Sequence, residues 1–249
     1  MPTDGSPPPS RSAVHDAATR VEGHLRSALA APTRPEVVAG PGERRRRQTV
    51  TALFTVLGAV ALGWSLNVEP GSARFYVASI VLAAIWTLGA FASGPLHLGR
   101  FGREPTARRP VGPPIAIGLA LAAVFVVGGL LVREVAVLEE AVDGVLSYAR
   151  QGSGPLVLLV TVVNGVAEEL FFRGALYAAV PVRAAVAVTT LVYTAASIAS
   201  GNLMLGVAAV LLGLVVGMER RASGGVLAPI LTHVTWSAAM LLVLPPLFG

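Results

Sequence analysis

Three stretches within the first 132 residues of this 249-residue chain carry no Asp, Glu or Arg over 21 or more positions: Gln48 to Val68, Phe75 to Gly99 and Val111 to Val132. A bilayer core of about 30 Å is crossed by about 20 apolar residues of helix, so each reads as a membrane span. Gln151 to Ala167 is shorter, but its apolar character continues past Glu168, Glu169 and Arg173 through Leu170, Phe171, Phe172 and Leu176 until Pro181 breaks it. This is a fourth span. Ala184 to Met218 is too long for one crossing and holds the turn-prone Ser200-Gly201-Asn202, which divides it into a fifth and a sixth. Ala222 to Gly249, with His233 as its one titratable side chain, is a seventh. Because lipid offers the backbone no hydrogen-bond partners, the expected fold is all-α: a polytopic bundle of about seven transmembrane helices.

Composition narrows the chemistry. Hydrophobic residues make up 54% of the chain and charged residues 13%, with a mean hydropathy of +0.69, which argues against an ordinary water-soluble enzyme. There is no cysteine, which excludes disulfides, thiolate zinc sites, iron–sulfur clusters and a thiol nucleophile. All 19 basic residues are Arg, and the Ala, Gly, Val and Leu content points to a high-GC bacterium. The net charge of +5 comes from Arg residues scattered in short groups between apolar runs, a pattern of membrane topology and not of nucleic-acid binding.

Residues 1–47 are different: proline-rich, with eight Arg, five acids and no sustained apolar face, they read as a disordered cytoplasmic tail ahead of a transmembrane domain over 48–249. The first apolar run follows Arg44–Arg47, so the first helix reads as a retained anchor and not as a cleaved signal. With alternate crossings, Arg44–Arg47, Arg100, Arg103, Arg108, Arg109, Arg183, Arg220 and Arg221 fall on one side, against Arg74, Arg133 and Arg150 on the other. The positive-inside rule then places the N-terminus in the cytoplasm of a plasma-membrane protein, with the C-terminus outside. Val135, Leu138, Val142, Val145 and Leu146 recur at helical spacing opposite Glu134, Glu139, Glu140 and Asp143, predicting an amphipathic helix on the outer surface. The Glu139-Glu140 pair reads as part of its solvated face.

The chemistry concentrates in Asn164-Gly-Val-Ala-Glu168-Glu169-Leu-Phe-Phe-Arg173-Gly174. Ionisable groups inside a span cost about 2.5–3.5 kcal/mol each on insertion scales and usually serve a function. Glu169 and Arg173, four apart, share a helix face and suit an ion pair. Glu168 lies about a quarter-turn away, with Asn164 one turn earlier and aromatic side chains one turn later, a setting suited to a general base. His233 is the other anomaly, with Ser237 one turn on. Glu168 is ten residues in from Ala178 and His233 nine in from Gly224, so both lie at a depth of about 14–15 Å. Thr190, Thr194 and Ser197 form a polar stripe on the helix between them, read mainly as helix-packing contacts.

Glu168-Glu169-Leu-Phe-Phe-Arg173-Gly174, followed about 60 residues later by Leu227-Ala-Pro229-Ile-Leu-Thr-His233, resembles the CPBP intramembrane protease family, which includes the CaaX prenyl endopeptidases and bacteriocin-processing or immunity proteins. The resemblance covers residues 155–245, the last four helices. It implies that Glu168 activates water, that Glu169 and Arg173 shape the site, and that His233 polarises the scissile carbonyl or holds water, in a site opening toward the cytoplasm. Asn164, Ser197 and Ser237 are the candidate substrate-binding residues. The implied substrate is a membrane-embedded or prenylated peptide or protein.

Two departures stand out. The family's second motif, FxxxH, has as its counterpart here Tyr193-Thr-Ala-Ala-Ser197, and the HxxxN of the third is His233-Val-Thr-Trp-Ser237. Zinc enters by family name only: it normally takes at least three protein ligands, and the sequence offers His233 and one or two carboxylates, so no metal ligand is assigned. The leading expectation is intramembrane peptide-bond hydrolysis. The rival is a catalytically inactive scaffold of the same fold that binds a partner, as the missing histidine allows; a small transporter using Glu168 as a proton carrier ranks below both.

Overall fold

The computed structural model describes residues 40–100, 109, 111–132 and 136–247. The tail expected over residues 1–47 therefore falls outside the described residues up to position 39, and its last seven residues are helical. Helix α1 (Pro41–Ser65) begins with Pro41 in its first turn, where the missing N–H costs no hydrogen bond, and carries Arg44–Arg47 on its first turns. It is followed by α2 (Ala73–Ser93), α3 (Gly112–Val132), α4 (Ala136–Gln151), α5 (Gly154–Ala179), α6 (Ala185–Ile198), α7 (Leu203–Ser223) and α8 (Leu227–Leu247). No strand occurs among the described residues, and the all-α, polytopic fold is as the apolar runs predict.

Six of these helices are long and apolar enough to cross a membrane; α6, the remaining apolar one, has 14 residues. At 1.5 Å per residue it rises about 21 Å, short of a full bilayer core. The break after it lies where Ser200-Gly201-Asn202 predicts it: Gly201 takes a positive φ, and the Asn202 side chain caps α7 by accepting from the Met204 and Leu205 amides at 2.9 and 3.3 Å.

Helix α4 is the amphipathic helix of the sequence reading. Val142 and Leu146 are buried and pack with Leu244, Met204 and Met240, while the Tyr148 hydroxyl donates to the Leu66 carbonyl at 2.6 Å. Asp143 pairs with Arg150. The side chains of Glu139 and Glu140 lie outside the described residues.

Between α2 and α8 runs an extended segment, Gly94 to Arg100, that clamps the start of α8. The amides of Val226 and Leu227 donate to the carbonyls of His97 and Leu98 at 2.9 and 3.1 Å, and the Arg100 amide donates to Ser223 at 2.8 Å. The two chains approach so closely at Gly99 and Gly225 that a β-carbon on either would overlap the other's backbone, and Gly99 also has φ +80°. Leu96, from the same segment, covers Gly174 of α5.

The arginines are less uniform than a loop-charge reading makes them. Arg47 is buried against Glu43, and Arg220 is buried over the Tyr177 ring with its Nε donating to the Arg173 carbonyl at 2.7 Å. That carbonyl belongs to a π-helical stretch.

Candidate active site

Helix α5 is regular α-helix to Glu169 and then winds as π-helix over Leu170–Leu176 before a last α turn. Such bulges widen the turn, turn side chains off the α-helical wheel, and occur most often at functional sites. Here every side chain from Phe171 to Leu176 is buried, which no single face of an α-helix could achieve. Phe171 and Phe172 pack on Trp86 of α2, with ring centroids 4.7 and 4.9 Å away. This aromatic cluster forms the floor on which the polar groups stand.

Above it, Glu169 and Arg173 are fully buried and paired, Nη1 to Oε1, at 3.1 Å. His233 of α8 brings Nδ1 to the same Glu169 oxygen at 2.7 Å. With Glu169 ionised, Nδ1–H is the donor, and the other ring nitrogen is fixed in direction. That nitrogen, Nε2, points at Glu168 Oε2 across 4.0 Å, too long for a direct hydrogen bond and short enough for one water or a substrate oxygen to touch both. The Glu168 side chain keeps 15% of its surface exposed, whereas Glu169 keeps none. The adjacent carboxylates thus differ in surroundings: Glu169 is locked into packing, and Glu168 faces open space.

That space is a cavity of about 550 Å³, of the size that holds small ligands. Glu168, His233, Asn164, Ser197 and Ser237 all line it, while Glu169 and Arg173 stand behind. Asn164 donates through Nδ2 to the Val160 and Ser79 carbonyls at 2.9 and 3.2 Å, and its Oδ1 is buried without a protein partner. Ser197 spends its hydroxyl on the Tyr193 carbonyl of its own helix at 2.9 Å. Thr190 is apart from the cavity, packed beside Gly213 and the Arg173 guanidinium.

Tyr193 is the residue that sequence reasoning passes over as a mere counterpart of the motif's phenylalanine. Its hydroxyl donates to Glu168 Oε2 at 2.8 Å, and its ring lies under the Arg173 guanidinium at 4.7 Å. The signal was a hydroxyl placed four residues before a serine that stands where the family has histidine. Glu219 was likewise unremarked: it is buried on α7, with Oε1 2.8 Å from the Thr232 hydroxyl, which also reaches the Pro114 carbonyl at 2.9 Å.

Residues 150–239 match the family model described as type II CAAX prenyl endopeptidase Rce1-like. The match falls on the segment whose motifs resemble the CPBP family. No curated protein and no solved structure matches the chain significantly. The Rce1-like segment holds α5 to α7 and most of α8, and so contains Glu168, Glu169, Arg173, Tyr193 and His233. Together with six helices able to span a bilayer, the match makes this a multi-pass membrane protein with a segment similar to CAAX-type membrane endopeptidases.

A resident zinc does not fit this site. Zinc sites use at least three protein ligands; here His233 spends Nδ1 on Glu169 Oε1, which also takes the Arg173 guanidinium, and no group of three His, Asp or Glu suited to a metal occurs among the described residues.

Proposed function

We propose that this protein is an intramembrane endopeptidase in which Glu168 activates water and His233 polarises the scissile carbonyl. One observation carries the reading: Glu168 Oε2 and His233 Nε2 face each other across 4.0 Å at the inner end of an apolar cavity. The reaction requires His233 to carry a proton on each ring nitrogen; two carboxylates, the Arg173 guanidinium and that imidazolium then sum to zero.

In the proposed reaction Glu168 takes a proton from a water molecule as its oxygen attacks the peptide carbonyl carbon. His233 Nε2–H donates to the developing oxyanion, held in place by the Nδ1–Glu169 bond. The tetrahedral intermediate then collapses: the C–N bond breaks and Glu168 passes its proton to the leaving amine. Tyr193, bonded to Glu168, orients the base, while Ser197 stands at the position of the family's second-motif histidine. Asn164 and Ser237 flank the reacting groups along the cavity wall and offer hydrogen bonds to the substrate backbone.

The competing reading is a scaffold that keeps the fold and binds a partner, and Ser197 in place of the histidine is what favours it. Mapping new protein termini by mass spectrometry in membranes of cells that lack the protein and express wild type or Glu168→Gln at matched levels separates the two. Termini found with wild type alone establish hydrolysis and the need for Glu168. Matching profiles, with both forms restoring whatever the deletion lost, would leave the scaffold.

A further inference from the structure

Among the described residues, the cavity lining runs from Glu168 toward one end of the bundle. Leu66 follows α1, Phe75 opens α2, Gly129 is near the end of α3, Val157 and Met204 are near the starts of α5 and α7, and Met240 is near the end of α8; all six line it. In a bundle of alternating helices these positions share the face of the α1–α2 turn, opposite Arg44–Arg47. Toward the arginine-bearing face the described residues cover the site: Phe171, Phe172, Trp86 and Leu96 pack in one core beneath it, and the Gly94–Arg100 segment is hydrogen-bonded across the start of α8. The expectation of a site opening on the arginine-rich side is therefore reversed.

The lining also selects what enters. Among the described residues of the wall there is no Arg, and no carboxylate besides Glu168. A charged group would meet no counter-charge from these residues, and burying one unpaired is costly. Asn164 Oδ1, buried beside Glu168 without a partner, asks for an N–H donor, which a polypeptide backbone supplies and a hydrocarbon chain does not. From Val157 to Glu168 is eleven residues of helix, about 16 Å of depth. An extended chain at about 3.3 Å per residue covers that depth with roughly five residues.

We infer that the substrate is an uncharged, apolar stretch of a membrane-anchored polypeptide, roughly five residues deep, that reaches Glu168 from the face opposite Arg44–Arg47. By the positive-inside rule that face is extracytoplasmic. The substrate class rests on the hydrolytic reading; the path of access does not.

The absence of cysteine makes the path directly measurable. Thr161→Cys and Met240→Cys place thiols on the cavity wall, Glu69→Cys marks the α1–α2 turn and Arg45→Cys the opposite face, all in the full-length chain in right-side-out and inverted membrane vesicles. A membrane-impermeant maleimide is expected to label Thr161→Cys, Met240→Cys and Glu69→Cys from outside alone, and Arg45→Cys from inside alone, with denatured samples confirming equal thiol content. Wall cysteines that label together with Arg45→Cys, or from neither side, overturn the path; Arg45→Cys labelled from outside overturns the extracytoplasmic assignment. Mapped cleavage sites are expected in uncharged stretches at the extracytoplasmic end of membrane segments, and sites in cytoplasmic tails overturn the substrate class. Should no wild-type-dependent termini exist, the hydrolytic reading and the substrate class fail together, while the labelling still decides the path.

Discussion

Glu169 and His233 are joined at 2.7 Å, carboxylate Oε1 to imidazole Nδ1, and the same oxygen takes the Arg173 guanidinium at 3.1 Å. A single buried oxygen thereby fixes α5, at the entry to its π-helical turn, to the second turn of α8. It also sets which imidazole nitrogen faces Glu168.

Arg173→Ala leaves Glu169 buried with one partner instead of two, and removes the guanidinium from the Tyr193 ring. Breaking a buried pair on one side costs about 3–5 kcal/mol. The expected outcome is a large drop in thermal unfolding temperature in detergent micelles and low accumulation in membranes, whereas Glu168→Gln unfolds close to wild type.

Tyr193→Phe restores the aromatic residue of the family motif and deletes the hydrogen bond to Glu168. Hydrogen bonds to charged groups contribute about 1.5–3 kcal/mol to stability, and with the base no longer oriented the rate of hydrolysis is expected to fall by about tenfold or more, beyond any loss of folded protein. Adding Ser197→His to this variant recreates FxxxH and is expected to recover part of the loss, as measured by accumulation of wild-type-dependent termini. A double variant no better than the single one would place Tyr193 outside the reaction.

Gly225→Ala puts a methyl group into the backbone of Gly99. Neither chain can retreat without giving up the hydrogen bonds that hold the start of α8, so His233 shifts. Overpacking of this kind costs about 1–3 kcal/mol, and it is expected to lower activity more than Gly63→Ala, whose new methyl meets one carbonyl at 3.3 Å.

Thr232→Val keeps the shape of the side chain and removes the hydroxyl that links α7, α8 and α3. Leaving Glu219 buried without this partner costs about 1–3 kcal/mol or more. The variant is expected to unfold earlier than wild type, and Glu219→Gln, which can still bond Thr232, to unfold later than Thr232→Val.

Much of the fold follows from short-range patterns. Runs free of charge for about 20 residues leave the backbone no option but helix in lipid, and Asn202, with a side chain that accepts hydrogen bonds from the next turn, starts α7 where the turn residues predict. The pairing of Glu169 with Arg173 is equally local, since residues four apart meet on any helix. That Glu168 and His233 share a depth followed from counting inward from helix ends. Three features were out of reach. The wheel drawn for α5 failed after Glu169, because a π-helical turn is sustained by Leu96, Trp86 and Arg220 from distant segments and not by its own residues. Arg220 read as a loop charge because nothing local shows that a freed carbonyl awaits it. Tyr193 and Glu219 depend on which faces of α6 and α7 turn inward.

The sequence by itself determined the number and kind of helices, the resemblance of the last four to a protease family and the residue types able to do chemistry, because these depend on hydropathy and spacing along one chain. Only the tertiary structure decided that Glu168 faces a cavity while its neighbour Glu169 is sealed, that Tyr193 stands beside the base, and that the cavity runs to the face opposite the arginines. Those outcomes depend on how helices rotate and pack against each other, and that is settled by contacts between residues far apart in the chain.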